Sequence, residues 1–208
     1  MMTFKEINER IFHYEEELKI CHKGILILND AISKQEDNKK QDILKIEKTK
    51  VEFFCFVSTS YIDLLCTYRN IKRAKSDWEK FFSIKIAYLI AYETINTYHK
   101  YRGEIYKAVT KEEKDFYRNF FDMLNRELED FKYEFDYDNV MPKIRNKSTA
   151  HYDKDFIEYY SNYELIEKYK DKDIVRSFLY FINPLHYFTH VLMNNEIDEF
   201  LFINSWMI

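Results

Sequence analysis

The scarcity of glycine and proline constrains this chain more than any other feature. Its 208 residues include two glycines, Gly24 and Gly103, and two prolines, Pro142 and Pro184. Tight hairpin turns, phosphate-binding loops and strained nucleophile elbows depend on glycine to reach positive φ. The chain therefore lacks a G-x-G-x-x-G dinucleotide loop, a Walker A loop and a G-x-S-x-G elbow. What remains is a chain built mostly of helix.

The spacing of apolar residues predicts how these helices are arranged. The first segment alternates spacings of three and four, as a helix packed lengthwise against partners does. Its stripe is Phe4, Ile7, Ile11, Tyr14, Leu18, Cys21, Ile25, Leu28 and Ile32. We predict a second helix over about 41–74 and a fourth with the stripe Phe116, Phe120, Leu124, Leu128, Phe131 and Phe135. The chain is thus predicted to be one all-α domain over 1–208, an antiparallel bundle of four long helices plus C-terminal helices, with 1–35 as a long N-terminal helix packed on the core bundle.

Capping residues and breakers predict where the helices begin and end. Three capping boxes are present: Thr3 with Glu6, Ser76 with Glu79, and Thr110 with Glu113. Gly103 is predicted to follow the end of the third helix, and Gly24 to mark a kink or a close helix crossing. Segment 136–155 has little periodicity and is predicted to be irregular, with helix resuming at Asp153 or Asp155. Pro184 is predicted to open the last helix.

Cysteine usage and charge indicate the compartment. Cys21, Cys55 and Cys66 form no C-x-x-C pair and sit among apolar residues, which predicts reduced thiols in a cytoplasmic protein. We expect no secretion signal, since the N-terminus runs directly into charged residues. The apolar windows are too short for a membrane span. The net charge of -4 argues against broad coating of nucleic acid, so any RNA site must be local.

Two patterns invite a binding interpretation but have simpler explanations. His186 and His190 are spaced i, i+4, as zinc ligands on a helix can be, yet no H-E-x-x-H motif and no third ligand accompany them. We therefore predict no metal site and no cofactor, and place these histidines near the bundle surface or an aromatic interface. The run Arg69, Lys72, Arg73 and Lys75 is suited to phosphate contacts, but it also fits the negative end of a helix dipole. We favour the capping role.

The remaining motif lies in the irregular segment after Pro142. Arg145 and His151 enclose five residues, and the polar Asn146 follows the arginine directly. This pattern resembles the HEPN superfamily of helical domains from toxin and abortive-infection systems, whose signature is an arginine, a polar residue, and a histidine after four to six intervening positions. The likeness is specific over about 13 residues and architectural over the rest of the bundle. The long first helix is not explained by it.

The resemblance implies a metal-independent endoribonuclease that cuts RNA by attack of the 2′-hydroxyl. His151 would be the acid/base and Arg145 the phosphate clamp, with Asn146 orienting one of them or the substrate. Lys143 and Lys147 would bind RNA around them. The resemblance further implies a homodimer with facing motifs, acting in a defence or toxin system, and a neutralising antitoxin or defence partner.

Two alternatives stay open at this point. Residues six apart on an unbroken helix differ by 120° around its axis, so Arg145 and His151 would not share a face. Either the helix breaks around 147–149, or a second subunit completes the site. The other alternative is a non-catalytic helical interaction module that binds a protein or nucleotide partner, in which Arg145 pairs with a carboxylate such as Asp153 and His151 caps or packs.

Overall fold

The structure, a computed structural model, describes residues 2–109, 114–146, 156–168 and 173–194. Helices dominate these parts of the chain, and no strand occurs among them. The helices are α1 (Phe4–Lys34), α2 (Asn38–Arg73), α3 (Asp77–Ala108), α4 (Lys114–Glu134), α5 (Tyr137–Ile144), α6 (Phe156–Glu167) and α7 (Ile174–Asn194). The predicted all-α fold class is confirmed.

Helix α2 is the central element, because α1, α3 and α7 all pack against it. In each pair, residues late in one helix contact residues early in the other, so the helices run antiparallel. The contacts that establish this are Arg10–Tyr61 and Ile32–Gln41 for α1, Thr94–Ser60 and Tyr101–Phe53 for α3, and His186–Ser58 and His190–Phe54 for α7. The bundle is thus antiparallel, as predicted, with α7 as a neighbour of α2.

Helix α4 covers the far side of α7. Its buried residues, spaced by three and four, are Tyr117, Phe120, Phe121, Leu124, Leu128 and Phe131. Phe120 stacks on Phe188 of α7 with ring centroids 4.1 Å apart, and Phe131 lies 4.8 Å from Phe178. These rings form the centre of the core, where an aromatic side chain buries a large apolar area. The predicted stripe of the fourth helix is confirmed in its main positions.

Two of the predicted capping boxes can be compared with the structure. Thr3 accepts a hydrogen bond from the Glu6 backbone N–H, and the Glu6 carboxylate accepts one from the Thr3 N–H, which confirms the first box. Ser76 caps α3 by accepting from the Glu79 N–H, which confirms one half of the second box. The reciprocal bond differs from the prediction, because the Glu79 carboxylate accepts from the Lys75 N–H instead of the Ser76 N–H. The third predicted box, over 110–113, lies outside the described residues.

The predictions made from glycine and proline are mostly wrong. Gly103 lies inside α3, which continues to Ala108 because the next turn buries Ile105 in the core. Pro184 lies inside α7 rather than at its start, although a proline removes one intrahelical hydrogen bond. Phe181, Ile182, Leu185 and Phe188 on either side of it are fully buried. At these two positions, tertiary packing overrides the local signal.

Gly24 and segment 136–155 also differ from the predictions. Gly24 lies within the continuous helix α1, and a Cβ added there would meet no atom within 4 Å, so none of the described helices crosses closely at this point. The first part of the segment predicted to be irregular is helix α5, which contains Pro142. No helix among the described residues is long and apolar enough to cross a membrane.

Candidate functional site

Helix α5 places the predicted motif at the edge of the bundle. Asp136 adopts a left-handed conformation with φ of 48°, which turns the chain between α4 and α5, and its Oδ1 accepts a hydrogen bond from Asn139 Nδ2 at 2.7 Å. The helix then buries one face among α3, α4 and α6. The buried residues are Tyr137, Val140, Met141 and Ile144. The core therefore fixes α5 up to the residue that precedes Arg145.

Arg145 follows this anchor as the C-terminal cap of α5. Its backbone N–H donates to the carbonyls of Met141 and Pro142, which fixes the direction in which the side chain leaves the helix. The side chain is 40% exposed. Its Nε donates to Glu93 Oε1 at 3.0 Å, and its Nη1 donates to Asn146 Oδ1 at 3.0 Å. The guanidinium is thus oriented by two side chains while it stays accessible.

Glu93 was not identified from the sequence as part of this site. It lies on α3, 52 residues before Arg145, and its side chain is 49% exposed. The predicted carboxylate partner, Asp153, lies outside the described residues. Since the Arg145–Glu93 pair joins two separate helices, no local spacing in the sequence reveals it.

Aromatic rings form a platform beside the arginine. The guanidinium lies over the Tyr92 ring at 6.0 Å from its centroid, and Tyr92 stacks on Tyr137 at 5.8 Å. Burial raises the pKa of the Tyr137 hydroxyl above its usual range, so it stays protonated near neutral pH. Because Tyr137 is buried and Tyr92 is partly buried, these rings support the guanidinium that lies beside them.

The other predicted site residues are only partly described. Lys143 is exposed one turn before Asn146, on the same end of α5 as the arginine. Lys147 and His151 lie outside the described residues. The structure therefore places Lys143, Arg145 and Asn146 together at one end of α5. The position of His151, the predicted acid/base, relative to them stays a prediction.

His186 and His190 lie at the interface of α1, α2 and α7. The His186 ring is 4.5 Å from Tyr14 and stacks on Tyr61 at 5.3 Å. Its Nε2 lies 3.0 Å from the Ser58 hydroxyl. Burial, reinforced by the positive charges around it, lowers the pKa of His186 to about 4, so this imidazole is neutral at pH 7. The predicted location at an aromatic interface is confirmed for His186.

The described residues hold no group of three His, Cys, Asp or Glu side chains arranged to bind a metal ion. Comparisons with family models, curated proteins and solved structures give no match to this chain. The functional interpretation therefore rests on the residues and their geometry.

Proposed function

We propose that this chain is a metal-independent endoribonuclease of the HEPN type, acting in a defence or toxin system. The observation that carries the proposal is the Arg145–Asn146 pair, which stands at the accessible end of a helix whose opposite face is held in the core. The motif spacing to His151 supplies the second functional group. A homodimer with facing motifs, and an antitoxin or defence partner that restrains it, belong to the same proposal.

The chemistry asks for two groups that this motif contains. As the 2′-hydroxyl attacks, negative charge builds on the phosphate, and a planar guanidinium placed there stabilises it. In the proposed reaction, His151 takes the proton of the 2′-hydroxyl as the 2′-oxygen bonds to phosphorus, and it returns that proton to the leaving 5′-oxygen. The bond from phosphorus to that oxygen breaks, which leaves a 2′,3′-cyclic phosphate and a free 5′-hydroxyl. Lys143 and Lys147 would attract the flanking phosphates.

The Arg145–Glu93 ion pair does not prevent this role. Ion pairs between exposed side chains contribute only about 0–1 kcal/mol. Arginine binds phosphate through two parallel charge-assisted hydrogen bonds, which are stronger than neutral ones. We therefore expect a substrate phosphate to displace Glu93, which holds the guanidinium in position until RNA arrives.

The test is RNA cleavage in excess EDTA, with detection of cyclic-phosphate ends. We expect the wild-type protein to cleave, with Arg145→Ala and His151→Ala each lowering the rate by about 100-fold or more. Arg126→Ala and His22→Ala are matched controls, since both residues are exposed and lie on other helices. Absence of cyclic phosphate, or equal activity of the motif variants and their controls, would rule out the proposal.

The same ion pair favours a second candidate, a non-catalytic HEPN-like module that binds a protein or nucleotide partner. In that case the arginine serves to join α5 to α3. This candidate predicts that the wild-type protein cleaves no RNA, even when no antitoxin or defence partner is present. It also predicts that Arg145→Ala lowers the free energy of unfolding. Differential scanning calorimetry of Arg145→Ala beside Arg126→Ala measures that loss.

A further inference from the structure

A groove runs along the surface between α1 and α7, with α2 as its floor. Two adjoining cavities, of about 300 Å³ and about 630 Å³, make up this α1–α7 groove and share Met2 and Asn183 in their walls. Tyr61 and Tyr68 of α2 lie at its floor. The described lining of the groove comes from residues outside α5, and neither Arg145 nor Asn146 is part of it.

The groove presents aromatic rings along its length. Tyr180 and Tyr187 on α7 are 60% and 47% exposed, so they are accessible to a ligand. The floor tyrosines, Tyr61 and Tyr68, are almost fully buried and hold their positions by packing. Base stacking on such rings tolerates any sequence, because every base has a π-face.

Two of the eight arginines of the chain, Arg10 and Arg176, line the cavities, although the protein as a whole is acidic. Lys72, over the floor residue Tyr68 at 5.1 Å, adds a third cation. Arg69 and Arg73 of the same basic run lie outside the lining of the groove: Arg69 donates to Asn8 of α1 at 2.7 Å, and Arg73 lines a separate cavity beside Trp78.

These three cations, Arg10, Lys72 and Arg176, have no carboxylate within ion-pair distance among the residues that the structure describes. Arg10 Nη1 donates instead to the Tyr61 hydroxyl at 2.7 Å, which positions the guanidinium without neutralising it.

Carboxylates also lie near the groove. Glu6 caps α1 through Thr3, and Asp173 accepts a hydrogen bond from the Arg176 backbone N–H. Glu17 faces His13 at 3.4 Å and His190 at 3.9 Å. Because none of these carboxylates forms an ion pair with the Arg10 or Arg176 side chain, both guanidinium groups can contact an external anion.

The spread of these groups indicates a polymer rather than a small ion. From Arg176 to Tyr187 the groove follows α7 for about 16 Å, at 1.5 Å per residue. A free phosphate would need only one of the arginines. We propose that the α1–α7 groove binds single-stranded nucleic acid, with bases stacked on Tyr180 and Tyr187 and phosphates contacted by Arg10 and Arg176. Under this proposal, Lys72 of the basic run that ends α2 contacts phosphate in addition to capping that helix.

Binding is tested separately from cleavage. The full-length chain carrying Arg145→Ala and His151→Ala is titrated against fluorescently labelled 12-nucleotide single strands of RNA and of DNA. Fluorescence anisotropy reports the Kd at several salt concentrations. Duplex RNA and inorganic phosphate are added as competitors. This double variant lacks the proposed catalytic groups, so its binding of nucleic acid is measured without cleavage. A failure of the groove to bind is therefore distinguished from a failure of the proposed ribonuclease activity.

We expect Tyr180→Ala and Tyr187→Ala to weaken binding about fivefold or more each, as loss of a stacking ring does. Arg10→Ala combined with Arg176→Ala should weaken it at least tenfold and reduce the slope of log K against log salt by about 1.4, since each phosphate contact with a single strand contributes about 0.7. Tyr133→Ala and Arg126→Ala, both on exposed positions of α4, are the matched controls and should bind as the parent does.

Four results overturn the proposal. Absence of measurable binding, equal weakening by the control variants, or complete competition by inorganic phosphate at the concentration of oligonucleotide phosphate would each do so. Equal affinity for duplex and single strand also contradicts it, because paired bases cannot stack on the tyrosines. Circular dichroism shows whether each variant is folded. Because the substituted residues on α7 are exposed, we expect these variants to fold.

Discussion

Protonation of His186 is expected to make the stability of this protein depend on pH. Burial is the main reason that the pKa of this imidazole falls from 6.5 to about 4 in the folded protein. In the unfolded chain the same group titrates near its ordinary pKa of about 6.5. Between these values the unfolded chain binds a proton that the folded one does not. Stability is therefore complete above about pH 6.5 and is lost as the pH falls towards 4.

The surroundings of His186 all act in this direction. His190 on α7, and Arg10 and His13 on α1, each lower the pKa of His186 by disfavouring a positive charge on its ring. On α2, the Ser58 hydroxyl and the rings of Phe54 and Tyr61 contact the imidazole, and none of these three groups is a carboxylate. No carboxylate among the described residues pairs with the His186 ring to compensate for its protonation.

The two pKa values set the size of the effect. From about pH 7.5 to about pH 4.5, they give a loss of about 2.5 kcal/mol in the free energy of unfolding, at 1.36 kcal/mol per pKa unit. The slope is steepest between about pH 5 and pH 5.5, at about 1.2 kcal/mol per pH unit, since nearly one proton is taken up on unfolding there. Against a typical stability of about 5–15 kcal/mol, such a loss is easily measured.

Urea unfolding followed by circular dichroism at both pH values gives the free energies. His186→Gln keeps a hydrogen-bonding group for Ser58 but removes the titration, so its loss over this range should be smaller than that of the wild type by about 2.5 kcal/mol. All other groups titrate in both proteins, and their effects cancel in the difference. His22→Gln, at an exposed histidine, is the control and should follow the wild type. Identical pH dependence in wild type and His186→Gln would refute the reasoning.

Three further predictions concern stability and are measured in the same urea assay. Gly24→Ala and Gly103→Ala should each stabilise the protein by about 1 kcal/mol, because both positions are helical and an added Cβ meets nothing within 4 Å; a loss of stability would contradict the continuous helices. Phe188→Ala should cost about 3–5 kcal/mol, whereas Phe82→Ala, at a half-exposed ring, should cost less than about 1.5 kcal/mol; equal costs would refute the assignment of Phe188 to the core. Glu93→Gln should change stability by less than about 1 kcal/mol, since its ion pair is exposed; a loss above about 2 kcal/mol would show that the pair is structural.

The sequence predicts the helices of this protein better than their ends. The capping groups of Thr3 and Ser76 act within one turn, so they can be recognised locally, and both are confirmed. Gly103 and Pro184 carry equally local signals, yet both lie inside helices, because burial of the following turns contributes more than the roughly 1–3 kcal/mol that these residues cost. Helix ends at such positions depend on partners that are distant in the sequence.

The candidate site also depends on contacts between residues that are distant in the sequence, so it is only partly predictable. Arg145 and Asn146 could be selected as a pair, because their spacing to His151 is a feature of the sequence. The position of Glu93 beside Arg145 could not be predicted, because it depends on how α5 packs against α3. The groove between α1 and α7 is also invisible in the sequence, since its tyrosines and arginines come from three helices that are adjacent only after folding.

The shallow burial of α1 has a consequence for motion. Only Ile7 and Cys21 of its 31 residues are buried, and its packing is mainly against α2. Elements with few buried contacts open at a lower free energy than the whole protein unfolds. We therefore expect the amide hydrogens of α1 to exchange with solvent faster than those of α2 or α7, through detachment of this helix alone. Helix α1, which forms one wall of the α1–α7 groove, would then move away when a single strand of nucleic acid enters, and it would be held in place once the nucleic acid has bound.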